Sequence, residues 1–177
     1  MTYEELNDLL WDSIRLCLGL NTANADDIKK VRREYPTEGS PAWKISDNIV
    51  FYSLDENQDN YARQVDSTYE AGTDTVYKKS TRTRYWALKL TAYGPAAYEN
   101  LNIIKDMMLS YKVKKLLATG KLYIVPQQLP MTRAPELFAG QWWNRWDCYL
   151  FFNEHYILPD EDVGRIEYVS INTRYNP

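Results

Sequence analysis

The chain has 177 residues and a net charge of −3 at pH 7, which suits one compact α+β domain and leaves little room for two. No apolar stretch approaches the roughly 20 residues that a membrane-spanning helix needs. Cys17 and Cys148 are too far apart for a zinc or disulfide framework, so we expect buried free thiols. The first residues are acidic rather than basic, which argues against a signal peptide, and we expect a protein used inside a cell.

The charge is distributed unevenly along the chain. Residues 1–60 carry a net charge of −6, residues 61–121 a net charge of +6, and residues 122–177 a net charge of −3. Opposite charges on different parts of a subunit suit head-to-tail contact between copies, although the two regions could equally neutralise each other within one fold. The chain also contains 15 Tyr and 6 Trp. These residue types are enriched at protein interfaces, but wide amphipathic sheets would account for them equally well.

The N-terminal third predicts two helices followed by one strand. Thr2 and Glu5 form a capping box, and apolar residues at three- and four-residue spacing then predict a helix over about residues 3–19. A short second helix opens at Asp26 and ends at Pro36. Residues 37–47 form a loop, residues 48–54 form a strand, and residues 55–60 form a turn or loop.

A long strand is the central feature of the sequence. Residues 61–80 predict a β-hairpin arm that projects from the rest of the subunit and continues into the strand Ser80–Tyr93. Alternate residues of this strand share a face, and that face becomes apolar at Trp86, so only its second half covers a core. The face comprises Arg82, Arg84, Trp86, Leu88, Leu90 and Ala92.

The strand ends at Gly94, which we place at a helix N-cap with Pro95 in the first helical position. A buried stripe predicts the helix that follows. It comprises Ala97, Leu101, Ile104, Met108 and Tyr111. Lys112, Lys114 and Lys115 are then expected at the C-terminal end of that helix, where the helix dipole favours cations. Gly120 ends the helix.

The C-terminal third predicts strands. They cover residues 122–125, 142–156 and 164–174, with a proline-rich loop after the first and a turn at Asp160–Asp162 before the last. The whole pattern predicts an α+β fold, a mostly antiparallel β-sheet flanked by helices, in a single domain over residues 1–177.

Catalytic chemistry finds little support in the sequence. The one histidine, His155, lies on a predicted strand beside aromatic residues, where a surface or interface role is commoner than a catalytic one. Nucleotide-binding and nucleophile motifs are absent from the sequence. The acids of Asp160–Asp162 lack the spacing of a calcium loop. We therefore expect no catalytic residue, no cofactor and no metal.

A nucleic-acid-binding module is the alternative from another class. Residues 78–86 interleave Lys and Arg with Tyr and Trp on a strand, as in sheets that bind single strands by stacking and phosphate contacts. Two observations weigh against it: the protein as a whole is acidic, and Trp86 begins the face that covers the core.

Several motifs follow one another in a recognisable order. A strand ending in Ser-Leu-Asp precedes the strand Thr-Arg-Thr-Arg-Tyr-Trp-Ala-Leu-Lys-Leu-Thr-Ala-Tyr-Gly-Pro, and the helix Ala-Tyr-Glu-Asn-Leu-Asn-Ile-Ile-Lys-Asp-Met follows. The chain closes with Trp-Asp-Cys-Tyr-Leu-Phe-Phe-Asn and Gly-Arg-Ile-Glu-Tyr-Val-Ser-Ile. This order resembles the neck or tail terminator proteins of tailed bacteriophages. The resemblance covers nearly the whole chain, with a heavier Trp142–Trp146 cluster and a longer Tyr61–Lys79 region than the family pattern.

The resemblance implies a structural virion protein, assembled in the host bacterial cytoplasm, that forms a ring of commonly six subunits. Such a ring terminates the tail tube and joins it to the head connector, so the partners are further copies, the tail tube protein and neck proteins. DNA passes through the lumen without specific binding, and no membrane is involved. A head-closure or tail-completion protein of the same neck remains the nearest alternative.

Two groups of residues are candidates for contacts in such a ring. Charged and aromatic side chains outside the predicted core are the candidate subunit interface, namely Lys78, Lys79, Arg82, Arg84, Trp142 and Trp143. Acidic side chains after the first strand are candidates for a lumen that repels DNA, namely Asp55, Glu56 and Asp59.

Overall fold

The computed structural model describes residues 1–21, 23–58, 64–72, 75–126 and 129–163. Within this part of the chain, the helices are α1 (Tyr3–Cys17), α2 (Ala25–Ile28), α3 (Ala97–Met107) and α4 (Tyr111–Thr119). The strands are β1 (Val31–Arg33), β2 (Ile49–Asn57), β3 (Val65–Ala71), β4 (Val76–Tyr93), β5 (Leu122–Val125), β6 (Thr132–Arg133), β7 (Glu136–Phe138), β8 (Gln141–Trp143), β9 (Arg145–Ile157) and β10 (Glu161–Asp162).

The long strand β4 organises the main sheet. The strand order is β1-β2-β4-β9-β5, with β3 and β10 added along β4 and β6 added to β9. The β1–β2 pair is parallel, and the other pairs among the described strands are antiparallel. The predicted α+β fold with a mostly antiparallel sheet and a projecting hairpin is confirmed.

The core lies between one face of this sheet and helices α1, α3 and α4. On β4 it contains the predicted alternate residues from Trp86 to Ala92, each at most 4% exposed. Leu6, Leu10 and Ile14 of α1 are fully buried against it, and the predicted capping box at Thr2 is present. Burying a side chain of this size contributes about 1.5–3 kcal/mol, so the alternation along β4 fixes which face the helices cover.

The predicted arm is formed by β3 and the first third of β4. Pairing runs from Val65 opposite Arg82 to Ala71 opposite Val76. All seven residues of β3 are exposed, so this ribbon extends past the sheet's hydrophobic core. The prediction of a turn at Asp160–Asp162 is wrong, because Glu161 and Asp162 pair with β4 as β10 and add a third strand to the arm.

Two predictions in the N-terminal third are also wrong at their boundaries. The second helix ends at Ile28 rather than at Pro36, because Val31 is buried in β1 and pairs with Val50 of β2. The first strand continues to Asn57 instead of turning at residue 55, since its last three residues pair with β4. Tertiary pairing overrides the local propensity in both places.

The helix after β4 begins later and ends earlier than predicted. Ala96 rather than Gly94 is the N-cap of α3, and the side chain of Asn48 accepts a hydrogen bond from the Ala96 N–H. Ser110 caps a separate helix, α4, so Tyr111 opens that helix and is 79% exposed. The three lysines follow Tyr111 in α4 instead of lying at the C-terminal end of α3.

The aromatic strand predicted at residues 142–156 is divided at Asn144. Residues before the break form β8, which pairs with β7 in a separate two-stranded sheet, and residues after it form β9. The Asn144 side chain donates to the carbonyl oxygen of Gly94, and the Asn144 carbonyl accepts from the Gly94 N–H. This break therefore fixes the end of β4 against β9. The predicted strand at residues 164–174 lies outside the described residues.

Candidate assembly surfaces

The lysines of the arm are already paired with carboxylates inside the subunit. Lys78 Nζ lies 3.3 Å from Glu161 Oε2 on β10, and Lys79 Nζ lies 2.6 Å from Glu70 Oε2 on β3. The hydrogen bond to Glu70 raises the pKa of Lys79 above its ordinary value. The arm is therefore a ribbon of mixed charge rather than a basic one, which weakens the case for a phosphate-binding strand.

Arg84 is held within the fold. Its Nε and Nη2 atoms each donate to a different oxygen of the Glu154 carboxylate at 2.8 Å, and the guanidinium lies 4.1 Å from the centroid of the Tyr156 ring. Only 15% of the Arg84 side chain and 1% of the Glu154 side chain are exposed. Arg84 therefore positions β4 against β9, and the charge that β4 presents outward ends at Arg82.

The Glu154 carboxylate is the centre of this cluster. Besides Arg84, it accepts a hydrogen bond of 2.8 Å from Trp86 Nε1. Burial would raise the pKa of Glu154, but the hydrogen bonds from Arg84 and Trp86 hold that pKa below its ordinary value. A buried carboxylate remains ionised here because its acceptor positions are occupied.

Arg82 differs from Arg84 although the two are neighbours on the same face of β4. Its side chain is exposed, and its guanidinium lies 5.4 Å from the centroid of the Tyr156 ring. Within the described part of the chain, no carboxylate forms an ion pair with Arg82. Among the four predicted cationic interface residues, Arg82 is the one most available to a partner.

The predicted lumen acids occupy the end of β2. Asp55 and Glu56 lie opposite Ala87 and Trp86 of β4, and both side chains are exposed. Their neighbour in the prediction, Asp59, lies outside the described residues. As consecutive strand residues they point to opposite faces of the sheet, but both reach solvent at the end of β2.

The two predicted tryptophans have different environments. Trp142 is 66% exposed, whereas Trp143 is half-buried. Alternation on the short strand β8 places them on opposite faces. Trp143 thereby joins an aromatic group that the sequence did not reveal.

That group lines a cleft of about 350 Å³ at the C-terminal end of β4. The ring centroid of Trp43 lies 6.0 Å from the centroids of Tyr93 and Trp143, and the centroid of Phe138 lies 6.2 Å from that of Trp143. These separations are those of edge-to-face aromatic pairs. We call this site the aromatic cleft; it is lined by Ala42, Trp43, Tyr93, Glu136, Phe138 and Trp143.

A polar edge borders the aromatic cleft. The Tyr93 hydroxyl donates to Glu136 Oε2 at 2.7 Å, and Arg145 Nη1 lies 3.5 Å from the same oxygen. Burial raises the pKa of Tyr93 above its ordinary value, and the hydrogen bond to Glu136 raises it further. The phenol therefore remains a donor at neutral pH, and the side chain of Glu136 is half exposed to solvent.

The remaining candidates for chemistry have ordinary structural environments. His155 is exposed on β9 opposite Thr83. Cys17 and Cys148 are buried free thiols, and burial raises the pKa of Cys17 to about 12. The described residues contain no group of three or more His, Cys, Asp or Glu side chains that could hold a metal ion. Within the same residues, none of the helices is long and apolar enough to span a membrane.

The described residues thus present an exposed arm, an aromatic cleft and a pair of exposed acids, and they show no arrangement of catalytic groups. Over residues 4–176 the chain matches the model of the family described as phage neck terminator protein, and it belongs to that family. No curated protein matches the chain.

The family membership confirms the resemblance seen in the sequence. The protein is thus a structural protein of the bacteriophage neck and a part of the virion, where it interacts with other neck and tail proteins. The family is one of structural proteins and not a class of enzymes.

Proposed function

We propose that the protein assembles, as a single domain spanning residues 1–177, into a ring that terminates the tail tube and joins it to the head connector. Six subunits form the ring in the host bacterial cytoplasm, and DNA passes through its lumen without specific binding. Family membership supports a place in the neck. The exposed arm supports assembly into a ring.

All seven residues of β3 in the arm are exposed, and β3 leaves one edge unpaired within the described part of the chain. A narrow ribbon without a hydrophobic core of its own is marginally stable in water. An unpaired strand edge also offers N–H and C=O groups to another chain. A contact in which this arm meets a different surface of the next copy is heterologous, and such a contact generates a ring when the rotation between copies closes.

Reversal of the charge at Arg82 tests this arm contact. We expect Arg82→Glu to leave thermal unfolding of the isolated subunit unchanged and to raise the concentration needed for assembly by about tenfold or more, since a like charge opposed across an interface is costly. Sedimentation velocity across a concentration series measures it, with Arg82→Lys as the control that keeps the charge. Assembly of Arg82→Glu at the wild-type concentration would argue against the arm contact. Arg84 is unsuitable for this test because its guanidinium is part of the Glu154 cluster.

Substitution of the exposed acids at the end of β2 tests whether DNA passes beside them. We propose that Asp55 and Glu56 face the lumen, where like charge keeps DNA from adhering. The double variant Asp55→Lys, Glu56→Lys should then retain a labelled duplex in assembled rings, and the retention should be lost as salt rises.

A double variant at exposed acids that form no ion pair among the described residues, Glu38→Lys and Glu99→Lys, is the control. Equal retention by both variants would contradict a lumen position. Retention of a single-stranded oligonucleotide by the wild-type protein at low salt would instead favour the nucleic-acid-binding alternative.

A further inference from the structure

We propose that the arm of one subunit inserts Tyr69 into the aromatic cleft of the next copy in the ring. The inference rests on the proposed ring and specifies which two surfaces meet in it. Tyr69 lies on β3, and the aromatic cleft is formed by residues from the 42–43 loop, the end of β4 and the β7–β8 hairpin.

The two surfaces lie at opposite ends of the same strand. Tyr69 is opposite Lys78 near the start of β4, and Tyr93 in the aromatic cleft is the last residue of β4. At about 3.3 Å per residue, the 15 residues from Lys78 to Tyr93 span about 50 Å. An arm cannot reach the cleft of its own subunit, whereas an arm at one end and a receptor at the other are what a head-to-tail contact requires.

The arm presents two apolar side chains that the described part of the chain leaves exposed. Tyr69 is 64% exposed and Val65, two pleats away on the same face, is 52% exposed. Tyrosine is one of the residue types that carry most of the binding energy at interfaces, since it combines a large ring with a hydroxyl and few rotatable bonds. Tyr69 therefore has the chemistry of an interface anchor.

The aromatic cleft has matching chemistry. Its walls are the rings of Trp43, Tyr93, Phe138 and Trp143, which favour edge-to-face contact with another ring. Glu136 at its edge is 51% exposed and can accept a hydrogen bond from an inserted phenol. Arg82 lies opposite Val65 on the same face of the arm and forms no ion pair among the described residues, so insertion also brings an available cation towards this carboxylate.

The indole groups of the cleft add a second indication. Trp43 Nε1 and Trp143 Nε1 are buried and have no hydrogen-bond partner in the described part of the chain. A buried donor without a partner is unfavourable, so protein structures seldom leave one. An inserted side chain that supplies an acceptor to either N–H would relieve this cost.

Complementation between two variants tests the contact. Tyr69→Ser removes the anchor and leaves the cleft intact, whereas Phe138→Ser, at a side chain that is 66% exposed, damages the cleft and leaves the arm intact. Each variant alone should remain a monomer at concentrations where the wild-type protein forms rings. An equimolar mixture should form dimers of twice the chain mass and nothing larger, since only one productive arm–cleft contact can form in each mixed pair.

Two matched substitutions serve as controls. Tyr111→Ser removes an exposed tyrosine on α4, and Leu137→Ser removes an exposed apolar side chain next to Phe138 that does not line the cleft. Both should assemble as the wild type does. Thermal unfolding of every variant within a few degrees of the wild type shows that the subunit is folded.

The outcomes separate this inference from the proposed function. Rings from both Tyr69→Ser and Phe138→Ser would leave the ring standing and overturn the arm–cleft contact. Two monomeric variants whose mixture stays monomeric would also overturn it. A wild-type protein that remains monomeric at high concentration would overturn the ring, and the arm–cleft contact with it. The inference is supported when each variant by itself is a monomer and the mixture of the two forms dimers.

Discussion

Replacement of Glu154 by alanine is expected to lower the free energy of unfolding by about 3–5 kcal/mol, the usual effect of removing one partner from a buried ion pair. The substitution leaves the Arg84 guanidinium largely buried beside Tyr156 and removes the acceptor of the Trp86 N–H. Equilibrium denaturation in urea measures the change, with the m-value as a check that the unfolded state is unaltered.

Two further variants show that the ion pair is the cause. Glu154→Gln keeps the shape of the side chain and removes its charge, so it should lose a large part of the same free energy. The double variant Arg84→Met, Glu154→Leu replaces both charges with apolar groups, so it should recover the part of the loss due to the unpaired arginine, while the Trp86 indole still lacks its acceptor. A loss below about 1 kcal/mol for Glu154→Ala, the range of surface pairs, would contradict the buried arrangement.

The same pair predicts a pH dependence. The pKa of Glu154 is lower in the folded protein than in the unfolded chain, where a glutamate has a pKa of about 4.3. Its stabilising contribution is therefore fully present above that pH and is lost as the pH falls through the folded pKa. The difference in unfolding free energy between wild type and Glu154→Gln should be largest at neutral pH and should vanish in acid.

Replacement of Gly94 by alanine is expected to lower the free energy of unfolding by about 2–4 kcal/mol, through backbone strain together with overpacking. Gly94 has a φ of +103°, which other residues rarely adopt. A Cβ there would collide with the carbonyl oxygen of Asp47 and lie 2.7 Å from Asn48 Oδ1. The corner between β4 and α3 thus requires glycine for two separate reasons.

Gly140→Ala is the matched control for this prediction. Gly140 also has a positive φ, +76°, but an added Cβ would meet no atom within 4 Å. The control should show only the strain, about 1–2 kcal/mol. Urea denaturation compares the two variants. Equal losses would show that Asp47 and Asn48 do not crowd Gly94.

Much of the fold follows from local pattern. Alternation along β4 correctly predicted which residues from Trp86 onward are buried, and the Thr2 capping box correctly predicted the start of α1. The errors occur where partners distant in sequence decide the outcome. Three residues are too few to predict β1 before its pairing with β2 is known, and Ser110 divides a helical pattern that would otherwise continue.

The assembly surfaces were predictable in part only, for a related reason. The sequence identified Arg82 and Arg84 as equivalent residues, and the difference between them comes from Glu154, which is 70 residues further along the chain than Arg84. The aromatic cleft combines Trp43, Tyr93 and Trp143 from three distant segments. The tryptophan-rich stretch at residues 142–146 indicated an aromatic surface. The sequence did not show that Trp143 faces the cleft and Trp142 faces solvent.

Electron microscopy of the purified protein shows directly whether the arm joins copies of the chain into a ring. We expect closed rings with a central hole, six subunits in each ring, and the arm of every subunit in contact with its neighbour. Particles that remain single subunits at high concentration, or copies joined by the same surface on both partners, would contradict this expectation.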